Sequence, residues 1–209
     1  MPLRNLKKLE ALLRKAAAEK NLALRGVKVA AVVAEALRQI GEDPVLVGGA
    51  AVEFYTEGGY ATKDIDMVAV GGYPLREVMN ELGFEKRGKD FINRQLELYI
   101  EFPSECLNPF EKSDELDVNG ILLKIISIED LIVDRLCAYK FWKSSADGLA
   151  ALLLMEIGKE NAQRLKTQAQ RRNVLDALEG ISKIYKEGFR KKLPQKEVTR
   201  QLKNWLKDS

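Results

Sequence analysis

The sequence predicts an α+β (mixed α/β) part over residues 1–126, with a mixed sheet flanked by helices and two helices at its start, followed by a helical part over residues 127–209. Three observations carry this. Short apolar runs bounded by glycine or proline, "PVLVGG", "DIDMVAV" and "FINRQLELYIEF", alternate with helical patterns up to residue 126. The pair Asn119-Gly120 between two apolar stretches marks a hairpin. Beyond Ser127 apolar residues recur at helical spacing, with no strand candidate.

The elements follow in order. Leu3 to Lys20 and Gly26 to Ile40 carry apolar residues at helical spacing and predict two helices joined by "NLALRG". "PVLVGG" is a short β-branched strand ending in a glycine pair, and "AAVEFYTEG" a helix stopped by Gly58 and Gly59. "DIDMVAV" is the second strand; "PLREVMNELG" is a helix with proline in its first turn and glycine at its end. "FINRQLELYIEF" predicts one long third strand closing at Pro103. Ser127 and Asp130 then form a capping-box pattern that opens the helical part.

Composition bounds the chemistry. With 209 residues and 46% hydrophobic content the chain can bury a substantial core. No apolar run approaches the roughly 18 residues of a membrane span, and the charged N-terminus lacks a signal-peptide centre, so a cytoplasmic protein without membrane contact is expected. Cys106 and Cys137 have no metal-site spacing and read as reduced thiols. The net charge is +3, with basic residues gathered in the C-terminal third; a solvated helix face explains them, and RNA is the polyanion that would test them. There is no histidine, which excludes Ser-His-Asp and Cys-His catalysis and leaves carboxylates, lysine, arginine and hydroxyls.

Within that limit Asp64 and Asp66 stand out. Residues two apart on a strand face the same way, so both carboxylates project together and repel unless a cation shares their site. Hard oxygen ligands on a strand suit Mg²⁺ or Mn²⁺. A third carboxylate is wanted for phosphoryl chemistry, and Glu101 at the end of "RQLELYIEFP" is the first candidate, with Glu97 the second by alternation. Gly48 and Gly49, between a strand and a helix N-terminus, offer phosphate unpaired amides and a close backbone approach.

"VGGAAVEFYTEGGYATKDIDMV" resembles the core signature of the minimal nucleotidyltransferase superfamily, the polymerase-β-like fold: a glycine pair, a helix, then T-x-D-h-D on a strand. It is closer to the AbiEii-like branch and related uncharacterised proteins, in which "YIEFP", a hairpin and "S-x-E-D-L-x-x-D-R-L-x-A-Y-x-x-W" follow in the same order, here Tyr99 to Pro103 and Ser127 to Trp142. The likeness spans roughly residues 41–155. It implies a Mg²⁺- or Mn²⁺-dependent transfer of NMP from an NTP to an acceptor hydroxyl on RNA or tRNA, a protein or a small molecule. In some relatives this is a toxin–antitoxin activity, with an antitoxin as partner. By the same resemblance Gly48 and Gly49 bind the phosphates, Asp64 and Asp66 hold metal, and Glu101 completes the triad and helps activate the acceptor. Lys63 either neutralises phosphate or is a solvated lysine. Arg135 either points toward the site or pairs with Asp134 or Glu129. Tyr139 and Trp142 are expected to pack. Related chains place an acid soon after the position of Trp142, where Lys143, Ser144 and Ser145 stand here, with Asp147 later. A degenerate nucleotide- or metal-binding module that engages a partner is the alternative function.

Overall fold

Two helices open the chain in the computed structural model, which describes residues 2–189, 191 and 193–208. Helix α1 (Leu6–Ala17) buries Leu9, Leu13 and Ala16, a single apolar stripe. Helix α2 (Leu22–Arg38) starts at Leu22 rather than at the expected Gly26, because Asn21 caps it by accepting the Leu24 amide N–H at 3.2 Å. Its run from Val29 to Ala34 is buried all round. Small alanine and valine side chains let α1, the sheet and helix α3 (Gly48–Tyr55) approach it from several sides.

The chain divides into two compact units, Met1–Ser127 and Ile128–Ser209. The first holds a seven-stranded mixed sheet among the described residues, in the order β3-β4-β5-β2-β1-β7-β6. Its strands are β1 (Val45–Val47), β2 (Asp64–Val68), β3 (Glu85–Arg87), β4 (Asp90–Asn93), β5 (Leu98–Glu101), β6 (Ser113–Val118) and β7 (Ile121–Ile126). Central β1 runs antiparallel to β2 and parallel to β7, while β2 runs parallel to β5. The β6–β7 hairpin turns on Asn119 and Gly120, whose φ angles of 56° and 81° are those the Asn-Gly pair favours. Helix α4 (Tyr73–Glu81) carries Pro74 in its first turn, and Gly83 follows it at φ 81°.

One expectation fails here for a clear reason. "FINRQLELYIEF" is two strands, β4 and β5, paired antiparallel with Asp90 opposite Glu101 and Asn93 opposite Leu98. The side chain of Asn93 accepts the Leu96 amide at 3.1 Å, a local turn that competes with a continuous strand. Glu97 sits in that turn at φ 52° and is not on the alternating face with Tyr99 and Glu101. Strand β3, which no apolar pattern marks, is an exposed charged edge strand on β4.

The second unit comprises α5 (Ile128–Phe141), α6 (Ser145–Ile157), α7 (Ala162–Arg171), α8 (Leu175–Ile184), a π-helical turn over Tyr185–Phe189, and α9 (Gln195–Asp208). The helical stretch "ENAQRLKTQAQRRNVLDALEG" divides at Asn173, φ 56°, between α7 and α8. Ser144 caps α6 through the Asp147 amide and Asn161 caps α7 through the Arg164 amide. Tyr139 is the centre of the packing: its ring stacks on Trp205 at 5.0 Å and its hydroxyl donates to the Leu202 carbonyl at 2.8 Å. Trp142, by contrast, is 85% exposed and does not pack, since α5 ends at Phe141 and Lys143 turns the chain at φ 54°. Among the described residues no helix is long and apolar enough to cross a membrane.

A Cβ built on Gly148 would lie 2.6 Å from Cδ2 of Tyr139, so α5 and α6 meet where only hydrogen fits. Gly148→Ala is therefore expected to cost about 1–3 kcal/mol, the usual penalty of overpacking, in urea unfolding followed by circular dichroism. Unchanged stability would show that Tyr139 has room to move.

Candidate functional site

Strand β2 buries Ile65 and Met67 on one face and turns Asp64 and Asp66 to the other, Asp64 exposed and Asp66 half-buried. The parallel register with β5 sets Asp66 opposite Glu101 and Asp64 opposite Tyr99. Neighbouring strands lie about 4.8 Å apart with paired residues on the same face, so Asp66 and Glu101 are adjacent carboxylates. On its other side Asp66 pairs with Val47, the last residue before α3.

The glycine pair sits directly against this strand. Gly48 has φ 63°, and a Cβ there would fall 2.0 Å from Oδ2 of Asp66; a Cβ on Gly49 would fall 2.8 Å from Oγ1 of Thr62. The Gly49 amide donates to Oδ2 of Asp66 at 3.4 Å, which puts a carboxylate at the positive end of the α3 dipole. Glycine is thus required at position 48 on two counts, backbone conformation and the space taken by the protein's own carboxylate.

Lys89, which sequence reasoning missed, belongs to the same face. It follows Gly88 in the β3–β4 turn, and its Nζ lies 2.7 Å from Oε2 of Glu101. The hydrogen bond and charge of Glu101 hold its ammonium above the usual lysine range, with smaller help from Asp90 and Asp66. In "EKRGKD" it reads as a solvated turn lysine, and only the β4–β5 register, Asp90 opposite Glu101, reveals it. Lys63 is exposed next to Asp64 and makes no ion pair or hydrogen bond among the described residues. Arg135 pairs within the helical unit, with Asp134 and with Asp147 at 2.8 Å.

Among the described residues no three Asp, Glu, Cys or His side chains are gathered closely enough to enclose a metal ion. The donor set nevertheless fits a hard divalent cation: carboxylates adjacent by alternation and by register, with a lysine ammonium already on Glu101. The glycine requirement can be measured. Gly41 also has positive φ, 87°, but nothing lies within 4 Å of a Cβ there. Gly48→Ala is expected to destabilise more than Gly41→Ala, by a further 1–3 kcal/mol or so in chemical denaturation, the excess reporting the clash with Asp66; equal losses would remove the clash and leave only backbone strain.

No family model and no curated protein sequence matches the chain. Among solved structures it is similar to an antigenic nucleotidyltransferase-like protein from Paracoccidioides brasiliensis, with 17% identity and a TM-score of 0.50, over 86% of this chain and 95% of that one. It is also similar to the antibiotic-resistance factor ANT(2'')-Ia, with 18% identity and a TM-score of 0.47, over 70% of this chain and 91% of that one. At 17% identity the first likeness speaks to architecture: the chain has the α+β fold of a nucleotidyltransferase-like protein.

Proposed function

We propose that the protein is a nucleotidyltransferase that moves an NMP from an NTP to an acceptor hydroxyl. The observation that carries the reading is the register that lays Asp66 beside Glu101 while the glycine turn closes on Asp66. In this reading Asp64, Asp66 and Glu101 hold Mg²⁺ or Mn²⁺, which when bound neutralises phosphate charge and polarises the reacting phosphate. The Gly48-Gly49 turn receives the phosphates through α3 amides, and Lys63 adds positive charge at the rim. Glu101, released from Lys89, takes the proton of the acceptor hydroxyl. The acceptor oxygen bonds to the α-phosphorus as the bond to pyrophosphate breaks, and pyrophosphate leaves with the electron pair.

The finer form of the proposal is an AbiEii-like enzyme of toxin–antitoxin type, with an antitoxin partner and an acceptor on RNA, protein or a small molecule. Its support is the order of "YIEFP" and the Ser127–Trp142 motif. A second reading, a binding module without catalysis, draws on the pairing of Glu101 with Lys89 and of Asp66 with the Gly49 amide, contacts that close the face on itself. The assay is incubation with α-labelled NTPs and cell extract. Asp66→Asn is expected to lower labelling of any product by about 100-fold or more, since even outer-shell partners of metal ligands are worth 10–100-fold; labelling that survives in both Asp64→Asn and Asp66→Asn would sink the transfer reading.

Lys89 supplies a separate test. If its ammonium stands where a metal's charge would act on Glu101, Lys89→Met binds Mn²⁺ about two- to fivefold more tightly by calorimetry, the scale of an exposed ion pair. Equal or weaker affinity in the variant would show that Lys89 is not a placeholder.

A further inference from the structure

Beside the starts of β2 and β5 the mixed α/β unit has a partly open cavity of about 520 Å³, with Leu22 of α2, Ile65 and Leu98 among its apolar walls. It is offset from the Asp66–Glu101 pair, because Asp66, Glu101, Gly48 and Gly49 do not line it, although Asp64 and Lys63 do. Its volume falls in the range of small-molecule sites. Glu53 of α3 lines this cavity and is only 4% exposed, and its side-chain carboxyl has no hydrogen-bond or ion-pair partner among the described residues.

A carboxyl that faces the pocket without a protein partner loses part of its solvation with nothing to replace it. Burial accordingly pushes the Glu53 carboxyl above its usual range. The arginine in the same wall does not relieve it. Arg25 gives its Nη2 to the carbonyls of Leu96 at 3.1 Å and Glu97 at 3.4 Å, and its Nε is buried without a partner. An anionic ligand would meet Glu53, Asp64 and Glu97, with Lys63 the cation not already engaged. A bare divalent ion would find one buried carboxylate and no cluster around it. The chemistry missing from the cavity is a cationic N–H donor on an apolar body.

We propose that this cavity is a binding site for a small organic amine, whose ammonium pairs with Glu53 while its apolar part rests on Leu22, Ile65 and Leu98. The site uses neither Asp66 nor Glu101, and Glu53→Gln tests it without altering any residue assigned to nucleotidyl transfer. The probe is 2-phenylethylamine, with 2-phenylethanol as the uncharged counterpart, titrated into the isotope-labelled full chain while the methyl resonances of Leu22, Ile65 and Leu98 are followed. The amine is expected to shift these methyls saturably, and the alcohol to bind about tenfold more weakly, as when a buried polar group is left unpaired. Glu53→Gln should cost the amine about tenfold in affinity and leave the alcohol nearly unchanged. Gly26→Met is the second variant: a Cβ there meets only Ala50, at 3.5 Å, and the longer side chain fills the cavity, so binding of both compounds should vanish. Equal affinity for amine and alcohol, undiminished amine binding in Glu53→Gln or Gly26→Met, or no saturable shift at the cavity methyls with millimolar amine would each overturn the proposal.

Discussion

The carboxylate of Asp66 fills the space that a side chain at Gly48 would need, and much of the first unit is arranged around that contact. The chain leaves β1 at Val47, reverses through a positive-φ glycine and enters α3 at once; the antiparallel register puts Asp66 opposite Val47. The Gly49 amide can then donate to Asp66, and the parallel register with β5 brings Glu101 alongside. A residue with a Cβ at Gly48 would displace Asp66 and, with it, its relation to Glu101. The glycine pair therefore does more than open the backbone to a ligand: its missing side chains are replaced by Asp66 and Thr62 of the same chain.

Adjacent carboxylates are a standing electrostatic problem, which the molecule answers with what it has. The Gly49 amide in the first turn of α3 faces Asp66, and Lys89 reaches across from the β3–β4 turn to Glu101. Neither answer is deep. The amide contact is long at 3.4 Å, and the side chain of Lys89 is 72% exposed, so its ion pair is screened by water. In the proposed transfer reading an external cation would take the place of the Lys89 ammonium on Glu101, whereas in the binding-module reading that ion pair stays closed.

Period-2 alternation made Asp64, Asp66 and the Glu101 position legible in the sequence, and Asn119-Gly120 announced the β6–β7 hairpin, because these signals are local. What escaped was decided by contacts between distant residues or by single side chains. Glu97 left the strand face when Asn93 folded back on the Leu96 amide. Strand β3 has no apolar pattern because an edge strand needs none, and Lys89 joins the site only through the pairing of β4 with β5. Asn21, a capping residue in what reads as a linker, moved the start of α2. Trp142 looked like core by residue type alone; the end of α5 at Phe141 leaves it in water.

Two buried carboxylates show how differently the fold treats such groups. Asp130, 1% exposed, receives Nε2 of Gln168 at 2.6 Å and the guanidinium of Arg164, so its charge is matched inside the helical unit. Glu53 is almost as deeply buried, yet an arginine on the same cavity wall binds main-chain carbonyls instead. A buried acid serving packing alone would be served better by leucine, which loses no solvation on burial. The same unit that leaves Glu53 unmatched also sets it on a partly open pocket walled by Leu22, Ile65 and Leu98, which is the combination the proposed amine would complete.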